Sequence, residues 1–218
     1  MTKPAGIIFD FDGVVVDSLS VHLMAWEAAY QLLYRTPLGD TSGLAGRATG
    51  AIAKILAERA GQGSSAPELA EAKRSQLKMS RHLIPAMPGA LDAFIWLQEQ
   101  RIPYGIASNA PRAFIEQTLS ELNAEVAIIF GVDDVPLPKP APDMFLMCAR
   151  AMGVNFTDHR RTVVFEDSTH GLKAAVRAGM FPVGVETQHG SDILMASGAR
   201  TTCLHIKDAM EKGLFAEI

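Results

Sequence analysis

Gly6-Ile7-Ile8-Phe9-Asp10-Phe11-Asp12-Gly13, running on into Val14-Val15-Val16-Asp17-Ser18, decides how the rest of the chain is read. The first four residues form an apolar run without polar alternation, the pattern of a strand buried on both faces. The run stops abruptly at acid, which puts Asp10 at the strand's carboxyl end. A carboxylate there is costly to desolvate, and Asp10 and Asp12, two positions apart, share a face if the strand continues. Charges so placed call for a cation, and hard oxygen donors suit magnesium. A single Asp at this point reads equally as a turn or helix cap; a pair with Gly13 does so less readily.

Outward from this stretch, similar apolar runs recur over 103–107, 126–130, 162–165 and 181–185. They alternate with helical patterns over 90–100, 111–122, 143–152 and 168–178, two of which end at Gly153 and Gly179. That rhythm predicts an α/β fold, a Rossmann-like doubly wound parallel sheet with crossover helices. Residues 19–84 break it, with helical patterns over 21–35, 48–60 and 67–83, a loop over 61–65 and no convincing strand. Pro85, Pro88 and Gly89 punctuate the return. The expected organisation is a discontinuous α/β core domain, residues 1–18 and 85–218, with an inserted helical cap domain over 19–84. Past about 186 the pattern suggests a closing strand and helices without nameable chemistry, Arg200 and His205 included.

Composition limits the classes of function. The 218 residues are 48% hydrophobic and 20% charged, an ordinary globular balance that excludes a disordered chain. The longest apolar run, near 126–132, falls far short of the ~18 residues that a bilayer span needs. The first dozen residues carry Asp10 and Asp12 and have no secretory pattern. Two cysteines, Cys148 and Cys203, give no disulfide framework, and Cys148 sits in an apolar run where a buried thiol is expected. A reducing, cytoplasmic setting and a monomer or dimer follow as expectations.

A net charge of −4 gives no footprint for nucleic acid. The charge is divided unevenly: residues 19–84 carry eight Lys/Arg against five Asp/Glu, the rest twelve against nineteen. An acidic, metal-neutralised core facing a basic cap would suit an anionic substrate. Solvated lysines and arginines on helix surfaces explain the same count equally well.

Three further stretches carry chemistry. Thr162-Val163-Val164-Phe165 runs into Glu166-Asp167-Ser168, repeating the layout of strand, acid and helix start. Ser168 suits a helix N-cap, and the acid pair completes an ion site if this strand neighbours the first. Ser108-Asn109 follows the second apolar run and precedes a helix opened by Pro111, a seat for phosphate oxygens or a generic turn and cap. Lys139 is held between Pro138 and Pro140, an unusual setting for a lysine without a positional role.

The order Asp-x-Asp-Gly, Ser-Asn, Lys-Pro, Glu-Asp resembles the haloacid dehalogenase superfamily through Gly179, and the helical insertion resembles the cap of its beta-phosphoglucomutase and sugar-phosphatase branch. The resemblance implies that Asp10 is the nucleophile, forming an aspartyl phosphate, and that Asp12 is the acid/base. It implies Mg²⁺ held by Asp10, the Asp12 carbonyl, Asp167 and Glu166, the last directly or through water. Ser108, Asn109 and Lys139 would bind the phosphoryl group. His22 and Arg47 lie where that branch keeps cap or hinge residues, and Lys73, Lys78 and Arg81 are further basic candidates for a second anionic group. Dehalogenation is disfavoured because Asp12 is present.

Ser108-Asn109 leans the reading to a phosphatase of a small phosphorylated metabolite, a sugar phosphate or phospho-sugar acid, with a phosphosugar mutase as the alternative. A non-catalytic phosphometabolite sensor and a signalling receiver also use such residues. A receiver carries its acceptor aspartate later and has no cap.

Overall fold

The computed structural model describes residues 3–41, 44 and 49–216. The chain falls into two compact units, Met1–Asp17 with Pro85–Ile218, and Ser18–Ile84.

The first unit is built on six strands: β1 (Gly6–Phe9), β2 (Tyr104–Ala107), β3 (Ile129–Phe130), β4 (Thr162–Glu166), β5 (Phe181–Val185) and β6 (Thr201–Cys203). All pairings are parallel, in the order β3-β2-β1-β4-β5-β6. The α/β doubly wound expectation therefore holds. The chain winds outward from β1 through β2 to β3, then crosses back to place β4 on the other flank of β1. Ligands bind outside the carboxyl ends of strands at such a reversal. Register puts Phe9 opposite both Ile106 and Phe165, so the residues after β1 and β4 emerge side by side.

The unpatterned apolar character of β1 and β4 has its reason in the packing. Ile7, Ile8, Phe9, Val163, Val164 and Phe165 have no exposed surface. On one face Ile8 and Val164 meet Met144, Phe145, Cys148 and Ala174. Phe9 stacks on Phe165 at 5.5 Å and meets Phe94 edge-on at 5.4 Å, while Phe215 stacks on Phe165 at 4.9 Å. Burying such a side chain contributes roughly 1.5–3 kcal/mol, so the strands that carry the acids are anchored firmly.

The helices of this unit are α4 (Ala90–Glu99), α5 (Arg112–Glu121), α6 (Asp143–Ala151), α7 (Thr169–Arg177), α8 (Ser191–Ala196) and, after the last strand, α9 (Ile206–Glu211), numbered after three in the insertion, α1 (Leu19–Tyr34), α2 (Thr49–Arg59) and α3 (Ala66–Ser80). Gly153 and Gly179 follow α6 and α7 with φ of 75° and 71°, the left-handed stop that only glycine takes without strain. His205 caps α9 by accepting from the Asp208 amide, which gives it a structural place.

Two expectations needed correction. The strand expected over 126–130 is reduced to Ile129–Phe130: β3 is the sheet edge, with β2 as its one neighbour, and the pairing is confined to Ile106 and Ala107. The helix expected over 67–83 ends at Ser80 and tightens into a 3₁₀ turn, Arg81–Leu83.

The insertion unit has its own core. Trp26, Ala29 and Tyr30 of α1 pack with Ile52, Ala53 and Leu56 of α2 and Leu69 and Ala70 of α3. No helix of the described residues is long and apolar enough to cross a membrane.

Candidate active site

Asp10, Glu166 and Asp167 are buried, and one ligand atom from each lies within 4.8 Å of the others. The fold explains this: Asp10 follows β1, Glu166 ends β4 and Asp167 comes next, at the carboxyl edge of two adjacent strands. Lys139 is brought to them from a loop between β3 and α6. Its Nζ donates to Asp10 Oδ1 at 2.5 Å and to Glu166 Oε2 at 2.8 Å, and lies 4.7 Å from the Phe145 ring centre.

Electrostatics decides what this group needs. Two unit charges 4.8 Å apart repel by about 3–4 kcal/mol at an effective dielectric of ~20. One ammonium faces three carboxylates, and its ion pairs among the described residues reach Asp10 and Glu166 but not Asp167. Burial, reinforced by the Glu166 charge, raises the Asp10 carboxyl from 3.8 to about 7 despite Lys139. Burial, then Glu166 and Asp10, push Asp167 well above the usual range. Burial alone would lower the Lys139 ammonium, but Asp10 and Glu166 outweigh it and hold it above the ordinary lysine value. A desolvated carboxylate cluster with an excess of negative charge and only oxygen donors fits a hard divalent cation.

Glu166 and Asp167 are held by short local contacts. Glu166 Oε1 accepts from the Ser168 amide at 3.0 Å and hydroxyl at 2.7 Å, while the same hydroxyl oxygen caps α7 by accepting from the Gly171 amide. Glycine at 171 leaves room for this carboxylate, since a Cβ there would lie 1.8 Å from Glu166 Oε2. Position 13 is as restricted: φ is 79°, and a Cβ would lie 2.0 Å from Asp167 Oδ2.

Of the other residues singled out by sequence, Asp12 is half-buried at the turn that pairs it with Val16, and its side chain is not one of the three clustered carboxylates. Ser108 is buried after β2, its Oγ accepting from the Ala110 amide at 3.1 Å. Asn109 turns to the protein itself: its Oδ1 accepts from the Lys139 amide at 3.0 Å and its Nδ2 donates to the Lys139 carbonyl at 3.4 Å. The Asn109 side chain thus clasps the Lys139 backbone.

His22 lies in the insertion unit with Nδ1 3.3 Å from Lys73 Nζ. Burial, with help from the Lys73 charge, lowers its imidazole from 6.5 to about 4. Lys73 is itself buried, its Nζ 5.6 Å from the Trp26 ring centre, whereas Lys78 is exposed and Arg81 half-buried. Arg47 lies outside the described residues.

Sequence reasoning missed Thr187, just past β5. Its hydroxyl lies 2.9 Å from both the Gly13 carbonyl oxygen and Asp167 Oδ2. The one available signal was its place after a strand adjoining β4.

Comparison with known proteins agrees with this geometry. The sequence pattern of haloacid dehalogenase-like hydrolases matches residues 4–179. Validoxylamine A 7'-phosphate phosphatase of Streptomyces hygroscopicus subsp. limoneus is 31% identical over 193 residues, 86% of this chain and 88% of that protein. Fructose-1-phosphate phosphatase YqaB of Escherichia coli K12 is 32% identical over 186 residues, 83% of this chain and 96% of its own length. The beta-phosphoglucomutase structure from Clostridium difficile superposes with a TM-score of 0.74 over 97% of this chain and 95% of its own, and at 23% identity it shows a shared fold. With a family pattern that covers most of its length, a buried acid cluster at the sheet's reversal point and phosphatases among its relatives of 31–32% identity, this chain belongs to the haloacid dehalogenase-like hydrolases and is a phosphatase among them.

Proposed function

We propose that the protein is a Mg²⁺-dependent phosphatase of a small phosphorylated metabolite, a sugar phosphate or phospho-sugar acid, acting through an aspartyl phosphate on Asp10. The observation that carries the reading is the buried assembly of Asp10, Glu166, Asp167 and Lys139 at adjoining strand ends. The relatives that hydrolyse validoxylamine A 7'-phosphate and fructose 1-phosphate, by their names, support the substrate class.

In this reading Asp10, Asp167, the Asp12 carbonyl and, directly or through water, Glu166 would hold Mg²⁺, which would supply positive charge against the phosphoryl oxygens. The Asp10 carboxylate attacks phosphorus, the bond from phosphorus to the leaving oxygen breaks, and Asp12 gives that oxygen a proton. Asp12 then takes a proton from water as its oxygen attacks phosphorus, and the Asp10–phosphorus bond breaks to release phosphate. Lys139 steadies Asp10 and, with Ser108, offers donors to the phosphoryl oxygens, where charge is spread in transfer. Asn109 contributes by holding Lys139, in addition to any backbone donor it offers. His22 and Arg47 enter as candidate contacts to the rest of the substrate, a role that rests on sequence position.

Phosphate release from a panel of sugar phosphates, phospho-sugar acids and nucleotides, with Mg²⁺ or chelator, tests the proposal. Release that needs Mg²⁺ and vanishes in Asp10→Asn is expected. Isomerisation of β-glucose 1-phosphate with a bisphosphate primer, without net phosphate release, would replace hydrolysis by a mutase reaction. Inertness in both assays would favour a phosphometabolite sensor.

A further inference from the structure

We propose that Thr187 is a positioning residue for the cation-binding carboxylates, setting divalent-cation affinity by fixing Asp167 against the turn that carries Asp12 and Gly13. The inference rests on reading Asp167 as a metal ligand. Two observations show how Thr187 holds Asp167 in place.

The first is the hydroxyl's geometry. Thr187 Oγ1 sits 2.9 Å from Asp167 Oδ2 and 2.9 Å from the carbonyl oxygen of Gly13, groups 20 and 174 positions away in sequence. Both are acceptors and the hydroxyl has one proton, so it serves one of them at a time. Donation to the carboxylate is charge-assisted and the stronger of the two, and it fixes the rotation of the Asp167 side chain.

The second is the packing at the same point. A Cβ on Gly13 would lie 2.0 Å from Asp167 Oδ2 and 3.0 Å from Thr187 Oγ1, so the turn, the carboxylate and the hydroxyl are in close three-way contact. Thr187 is placed there by the end of β5, where its amide donates to the Val185 carbonyl and the neighbouring Glu186 amide donates to Cys203 of β6. The hydroxyl is therefore carried by an ordered strand end, and it joins Asp167, just past β4, to the acid turn after β1. Partners of this kind, which orient a ligating carboxylate without touching the metal, typically change affinity or activity 10–100-fold when removed. Thr187 lies beyond the region matched by the family pattern, which ends at residue 179.

The test compares wild type with Thr187→Val, which keeps the shape and removes the hydroxyl, and with Thr187→Ser, which keeps the hydroxyl. Two quantities are read: the Mg²⁺ concentration for half-maximal phosphate release, and the rise in melting temperature that Mg²⁺ gives the substrate-free protein. The expected result for Thr187→Val is a half-saturating Mg²⁺ raised about 10- to 100-fold and a diminished melting shift, with Thr187→Ser close to wild type. Should Thr187→Val not fold, Thr187→Ala provides the same comparison.

An unchanged Mg²⁺ requirement and melting shift in the hydroxyl-free variant would overturn the role of Thr187, and leave the phosphatase reading standing if Asp10→Asn is inactive. Impairment of the Ser variant with the Val variant close to wild type would also overturn it, pointing to methyl packing. A wild type without any Mg²⁺ response would overturn the ligand reading and this inference together.

Discussion

The side-chain amide of Asn109 clasps the backbone of Lys139 from both sides, accepting from its N–H at 3.0 Å and donating to its carbonyl at 3.4 Å. Lys139 in turn bridges Asp10 and Glu166. Asn109 therefore acts on Asp10 through a loop 30 positions away. Asn109→Ala should reduce kcat/KM about 10- to 100-fold, the scale on which small misplacements act, while Lys139→Ala should cost more. In a double-mutant cycle the two losses should fall well short of additive. Full additivity would mean that Asn109 acts on substrate by itself.

The two ends of the phosphoryl site should differ in how far activity falls. Asp10→Asn removes the group that forms the covalent intermediate and should abolish turnover. Ser108→Ala removes one donor and should cost roughly 10²–10³ in kcat. Single-turnover phosphate release measures both. Losses of only a few-fold in each would contradict the assignment of roles.

Gly171 offers a sharper geometric test. A Cβ at this position would lie 1.8 Å from Glu166 Oε2 and 1.9 Å from its carboxyl carbon, so Gly171→Ala must displace the Glu166 side chain. Glu166 is also an acceptor for Lys139 and for Ser168, so its displacement disturbs the lysine and the α7 cap together. Activity should fall by at least tenfold, the lower end of the effect expected when the environment of a metal ligand is disturbed. Gly153→Ala is the control: nothing lies near its Cβ, and its φ of 75° costs stability alone, about 1 kcal/mol. Melting temperature and kcat measured on both variants separate a site effect from a backbone effect.

These tests also mark where the sequence was informative. Asp10 and the Glu166-Asp167 pair were legible because each is charge at the end of a run with no polar alternation, a conflict visible within a few residues. Their convergence hung on whether the two strands are neighbours, which the sequence left open and the order β3-β2-β1-β4 supplies. Thr187 was not legible, since its partners lie across the sheet and a lone threonine after a strand carries no local conflict. Asn109 was placed in the right region, yet its side-chain partner depends on how the 136–142 loop folds back. The short β3 had the same origin: Val126 and Ile128 read as strand, but at the sheet edge only Ile129 and Phe130 pair with β2.

In the insertion unit, the buried imidazole of His22 sets a pH dependence of definite sign. Burial and the Lys73 ammonium hold it at about 4, down from 6.5. The unfolded chain therefore binds a proton more tightly at this position than the folded one, and stability is lost as pH falls from 6.5 through about 4. Above 6.5 the contribution is fully present, and its upper bound, at about 1.4 kcal/mol for each tenfold change, is about 3 kcal/mol. His22→Gln keeps a polar side chain and removes the titration. Thermal unfolding from pH 7 to pH 4.5 should then show the wild type losing more stability than the variant, so that the gap between them changes within the titration window of His22. Parallel curves across that range would mean that the imidazole is protonated in the folded protein, beside the Lys73 ammonium, as readily as in the unfolded chain.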